Sequence, residues 1–132
     1  MRGPAKMYLL LDSTFVIDLL RGDSAARQRM AKIFADGDEP YVNEIVVCEV
    51  RAGLLAKDVP GFESRLRSVA FAQPGPPAAL AAGKWRAEAR GKGRVLSLGD
   101  ALIAAAADGL GATVLTRNVR DFSLTPVRVE SY

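Results

Sequence analysis

The 132-residue chain contains no histidine and a single cysteine, Cys48. The first absence excludes imidazole general bases, Ser-His-Asp triads and histidine-ligated zinc. Any chemistry must therefore run on carboxylates, hydroxyls and cations. The second excludes an intrachain disulfide and argues for a reducing, cytoplasmic setting; Cys48 itself reads as a small buried hydrophobe. No run of about 18 apolar residues occurs, so no transmembrane helix and no membrane partner are expected. The basic start Met1-Arg2-Gly3-Pro4-Ala5-Lys6 leads into an apolar stretch that carries Asp12 and Asp18 and has no small-residue cleavage site, unlike a signal peptide. Residues 1–6 read as a tag remnant or a disordered extension, with Met7 as an alternative start. Internal repeats, low-complexity tracts and linkers are missing too, which leaves one domain over residues 1–132.

A chain of this length buries roughly two-thirds of its unfolded surface, enough for a core without staples. Hydrophobic residues make up 49% and charged residues 25%, the balance of a globular protein. The net charge of +3 is compatible with a polyanionic partner without demonstrating one.

Tyr8-Leu9-Leu10-Leu11 is a continuous apolar run of the kind buried on both faces of a parallel sheet. After Asp12-Ser13-Thr14, apolar residues at Phe15, Val16, Leu19 and Leu20 recur at helical spacing until Arg21-Gly22-Asp23. Ser24 is placed to cap a second helix to about Phe34, Tyr41-Val42 suits a short strand, and Asn43 is placed to cap a helix to about Lys57. Pro60 opens another helix, and Phe71-Ala72 suits a third strand. Pro77 sits at the start of an Ala-rich helix to Arg90, and a last helix spans Ser97 to Gly109. Thr113-Val114-Leu115 and Val127-Arg128-Val129 suit strands around a loop or short turn at Arg117 to Phe122. Strand-type runs alternating with helices predict an α/β domain with a mainly parallel sheet.

Three acids occupy informative places. Asp12 ends the first strand, where open α/β sheets bind ligands. Glu49 sits on a largely apolar helix, and Asp100 opens another. Each has a plainer reading: Asp12 as a helix cap, Glu49 as a surface partner of Arg51 or Lys57, and Asp100 as a charge favoured by the helix dipole.

Taken together, four stretches resemble the PIN domain, in its VapC-like toxin branch. They are Leu9-Leu10-Leu11-Asp12-Ser13-Thr14, Glu49-Val50-Arg51-Ala52-Gly53, Leu98-Gly99-Asp100-Ala101-Leu102-Ile103-Ala104-Ala105 and Leu115-Thr116-Arg117-Asn118-Val119-Arg120-Asp121-Phe122. They follow the family's order and cover the chain from about Tyr8 to Val129. The resemblance implies a three-layer α/β/α PIN-like fold and a carboxylate cluster that holds Mg²⁺, or Mn²⁺, through Asp12, Glu49 and Asp100. Either Asn118 or Asp121 completes that set, and Ser13 and Thr116 support it through their hydroxyls. The plainer roles for those two hydroxyls are helix capping and a strand-end hydrogen bond. The implied activity is endoribonuclease cleavage of RNA by the toxin of a toxin–antitoxin pair. The implied partners are a cognate antitoxin and a second copy in a homodimer.

Cations bear on the RNA. Lys84, Arg86 and Arg90 lie with Trp85 on the helix before Asp100 and suit a phosphate track, or else a solvated face with Trp85 in the core. Arg117 and Arg120 flank the fourth acidic position and are expected to meet phosphate. Haloacid dehalogenase-type phosphotransfer wants a second Asp at position 14, where this chain has Thr14; a receiver domain wants an acidic pair and a later Lys, neither evident. The rival that remains is a non-catalytic PIN-fold module that binds RNA or protein, with Asn118 as its sign.

Overall fold

A computed structural model describes residues 5–132. The reading of residues 1–6 as an extension lies mostly outside the described residues. Lys6 pairs with Glu39 at 2.9 Å, and the Met7 backbone N–H donates to Asp38 at 3.0 Å, so the chain is held from there on.

Five strands form one sheet: β1 (Tyr8–Leu11), β2 (Glu39–Asn43), β3 (Ala70–Ala72), β4 (Thr113–Leu115) and β5 (Val129–Glu130). Their order is β3-β2-β1-β4-β5, and all four pairings are parallel. Six helices connect them: α1 (Ser13–Leu20), α2 (Ser24–Ala35), α3 (Glu44–Gly53), α4 (Val59–Leu66), α5 (Gly75–Gly91) and α6 (Leu98–Leu110). The crossovers from β1 to β2 and from β2 to β3 move in one direction across the sheet, and that from β3 to β4 moves back. Right-handed crossovers therefore put α1–α4 on one face and α5–α6 on the other, the expected α/β/α sandwich. Leu9, Leu10 and Leu11 are buried because both faces of the central strand are covered. Strand order reverses between β1 and β4, so the crevice beyond their C-terminal ends is where a ligand belongs.

Local boundaries differ in instructive ways. Asp23, one residue before the expected Ser24, caps α2 by accepting the Ala26 N–H at 2.9 Å. Asn43 caps α3 as expected, through the Val46 N–H at 3.0 Å. That helix stops at Gly53 and not near Lys57, because Leu54 turns extended and a separate 3₁₀ turn follows at Ala56–Asp58. β5 falls at Val129–Glu130, two residues later than the apolar run suggested, where register with Val114 and Leu115 places it. Cys48 is exposed on α3, against the expectation of burial. Trp85 is buried in the core, the plainer of its two readings. On α6, Ala101, Ala104, Ala105, Ala106 and Ala107 are all buried beside Ile103; such small side chains let α5 and the sheet approach closely from both sides.

Candidate active site

Asp12 stands at the cap position of α1, yet its side chain caps nothing. Its Oδ2 instead accepts hydrogen bonds from the Thr116 hydroxyl at 2.7 Å and the Thr14 hydroxyl at 3.0 Å. Those two hydroxyls lie 3.3 Å apart. Asp12 is only 4% exposed, and among the described residues no hydrogen bond reaches its Oδ1. A buried carboxylate must be compensated. Here the hydroxyls hold one oxygen and leave the other for a different partner. β1 supplies the acid and neighbouring β4 supplies Thr116, so the pairing of Leu11 with Leu115 sets their distance.

Glu49 is exposed on α3 and, among the described residues, does not pair with Arg51 or Lys57. Its Oε1 accepts a short hydrogen bond from the Ser13 hydroxyl, so Ser13 is bound to an acid and does not cap α1. The other oxygen rests over Gly99, where an added Cβ would come within 2.8 Å of it. The bare backbone at Gly99 thus leaves the space in which the Glu49 carboxylate lies.

Asp100 stands in the first turn of α6, but Ser97 is the cap, accepting the Asp100 N–H at 3.1 Å. The Asp100 carboxyl is pushed above the ordinary aspartate range, first by burial and then by the charges of Asp121, Asp12 and Glu49; only Ser97 beside it opposes the shift. The other three expected acids therefore lie near enough to act on Asp100. Asn118 donates its backbone N–H to the Thr116 hydroxyl at 2.9 Å, while Asp121 sits exposed on the 3₁₀ turn Val119–Phe122.

Folding favours the protonated form of Asp100, so the metal-free fold loses stability as pH rises from the unfolded value near 3.8 through the higher folded value. Asp100→Asn is expected to melt higher than the parent at neutral pH in EDTA, with the gap closing as pH falls below the unfolded value. A neutral-pH melting temperature that falls would show that neither burial nor neighbouring charge penalises the ionised carboxylate there.

The donor chemistry fits a hard divalent cation: carboxylate oxygens held by hydroxyls, with no soft or imidazole donor. Among the described residues no group of three or more acids stands placed to hold a metal ion. Mg²⁺ does not require one, since it binds through one or two carboxylates and keeps several waters.

A PIN domain family model matches residues 9–126. The chain belongs to the PIN-domain family. It is also 32% identical over 117 residues to Ribonuclease VapC19 of Mycobacterium tuberculosis, covering 89% of this chain and 94% of that protein. The PIN fold is seen again in the solved VapBC2 of Rickettsia felis bound to a promoter DNA fragment, with a TM-score of 0.85, 19% identity and coverage of 96% of this chain and 99% of that one. A toxin–antitoxin complex from Klebsiella pneumoniae matches at 28% identity and a TM-score of 0.67, covering 89% and 92%.

The cations of this PIN domain divide into two groups. Arg117, expected at phosphate, is exposed but paired with Asp18 and Asp23. Arg86 donates from Nε to the Leu96 carbonyl at 3.0 Å, which ties α5 to the loop before α6. Neither guanidinium is free in the way the sequence suggested. Arg90 and Arg120 are exposed, and Lys84 is too, with Glu88 loosely alongside at 3.9 Å. Thr14, Asp18 and Tyr132 were not singled out from the sequence as site residues. Thr14 carried a signal, a hydroxyl two residues after the strand-end acid; Tyr132, at the other end of the chain, carried none.

Proposed function

We propose that this PIN domain, taken as one unit over the 132 residues, is a Mg²⁺- or Mn²⁺-dependent endoribonuclease, the toxin of a toxin–antitoxin pair. The observation that carries the reading is the buried Asp12, whose two hydroxyl partners occupy one oxygen at the switch point of a parallel sheet. A structural cap would have been spent on backbone N–H groups; this carboxylate is not. Similarity to a protein named Ribonuclease VapC19 supports the choice of RNA as substrate.

Asp12, Glu49 and Asp100 would hold the cation directly or through water, with Asp121 or Asn118 completing the set. When bound, the cation supplies a Lewis acid and a water acidic enough to act as nucleophile near neutral pH. The chain's own residues do the rest. Thr14 and Thr116 orient Asp12, and Ser13 holds Glu49 by one oxygen. Burial, with the charges of Asp121, Asp12 and Glu49 nearby, penalises the ionised Asp100 carboxylate, a penalty that a bound cation would offset. Arg90, Arg120 and Lys84 remain available to RNA phosphates.

An antitoxin partner is supported by the solved toxin–antitoxin complexes that share this fold. A groove of about 600 Å³ runs between α1, α3 and α4, walled by Ile17, Leu20, Val50 and Leu54 and edged by Arg21 and Arg65. It borders the two helices that carry Ser13 and Glu49, and suits an amphipathic segment with acidic flanks.

The test is cleavage of a mixed cellular RNA pool by the purified protein with Mg²⁺, with Mn²⁺ and with EDTA. Cutting that needs the metal is expected. RNA that is bound but left whole under either metal would overturn the reading in favour of a non-catalytic binding module.

A further inference from the structure

We propose that Arg117 and Tyr132 are positioning residues: with Asp18 and Asp23 they form a latch that fixes the turn after β4 and, through Thr116, the Asp12 carboxylate. The proposal rests on the metal-site reading above.

Arg117 directly follows Thr116 and precedes Asn118, whose N–H is bound to the Thr116 hydroxyl. From there the guanidinium reaches Asp18 Oδ2 through Nε at 3.1 Å and Asp23 Oδ2 through Nη2 at 2.8 Å. Its central carbon lies 4.8 Å from the centre of the Tyr132 ring. The phenol donates to the same Asp18 oxygen at 2.6 Å, and its ring stands edge-on against buried Phe15 at 4.8 Å. The cluster thus joins α1, the α1–α2 corner, the turn after β4 and the segment after β5. An isolated exposed ion pair orders a loop weakly. A planar fork spread over two carboxylates and an aromatic face is fixed in position and in tilt.

Two features tie the latch to the acid. The Thr116 backbone N–H donates to the Glu130 carbonyl at 3.0 Å, two residues before Tyr132. Thr14, which binds Asp12 Oδ2, also lies beside the Tyr132 phenol. Burial and the Asp18 carboxylate hold that phenol well above the usual tyrosine range, so it stays a donor at any physiological pH. Asp23 is held below its usual range, first by the Ala26 N–H and also by Arg117, so it stays charged.

The test uses the full chain free of RNA, with Mn²⁺ affinity measured by electron paramagnetic resonance or calorimetry beside the melting temperature. Arg117→Ala is expected to weaken Mn²⁺ binding by about tenfold, the low end of the cost of losing a group that orients a ligand. Arg117→Lys should fall between it and wild type, since one ammonium does not span both carboxylates. Tyr132→Phe keeps the ring and loses the donor, and should weaken binding severalfold. A purely structural role would lower the melting temperature and leave Mn²⁺ affinity unchanged, and that result would overturn the latch. If Arg117→Ala does not fold, the two milder variants decide in the same way. Wild type that binds Mn²⁺ but cuts no RNA, with weakened binding in the variants, keeps the latch and removes the ribonuclease. Wild type that cuts RNA, with unchanged Mn²⁺ affinity in all three, does the reverse. Wild type that binds no Mn²⁺ also overturns the latch, since no site is left to position.

Discussion

Asp12→Asn is expected to lower RNA cleavage by at least about 10³-fold while leaving the metal-free protein folded. Removing a group that merely orients a metal ligand typically costs about 10–100-fold. A direct ligand should cost more, because its loss weakens the hold on the cation that would activate the attacking water. The fold should tolerate the change. The amide oxygen can still accept from Thr14 and Thr116, the side chain keeps its volume, and Asp100 loses one of the charges that oppose its ionisation. Cleavage rate and melting temperature together check this. A variant that cuts RNA at the parental rate would remove Asp12 from the site.

Thr116→Val should cost about 10–100-fold in cleavage and roughly 1–3 kcal/mol in stability. Val keeps the shape of a fully buried side chain but deletes its hydroxyl. That hydroxyl does two things: it donates to Asp12 Oδ2 at 2.7 Å and accepts the Asn118 N–H at 2.9 Å. Its loss leaves a buried carboxylate with one hydroxyl partner and a backbone donor with none. Thr116→Ser restores both bonds at the cost of a methyl group and should recover most of the activity. Chemical denaturation and single-turnover kinetics on the Val and Ser variants measure the two effects separately. Full activity in Thr116→Val would mean that Thr14 alone orients the acid.

Much of this was legible in the sequence where local chemistry decides structure. Leu9-Leu10-Leu11 and Thr113-Val114-Leu115 read as buried parallel strands because nothing polar interrupts them, and they are nearest neighbours at the centre of the sheet. Asn43 read as a cap because its side chain satisfies its own helix. Errors arose where tertiary contacts overrode the local pattern. Apolar Leu54 and Leu55 carried the helical period past Gly53, although the chain turns there. Arg117 and Arg86 read as free cations because their partners, Asp18, Asp23 and the Leu96 carbonyl, are supplied by the folded chain. Asp12, Glu49 and Asp100 stood out by their places in the chain, and resemblance to a family gathered them with Asp121 or Asn118 into one expected set. What the sequence does not show is how they are held: Ser13 on Glu49, Thr116 on Asp12, and bare Gly99 beneath a carboxylate.

The hydrogen bond between Thr116 and Asp12 spans 104 positions of the chain. Closing so long a loop brings no reward until the central strands meet, so this contact belongs to the late, slow part of folding. A ribosome adding about 5–20 residues per second needs roughly 5–20 s to travel from one partner to the other. Throughout that interval the nascent chain carries its first acid but lacks the strand that orients it. Assembly of the site therefore waits until the strand that leads into Thr116 has been made and has paired with the first.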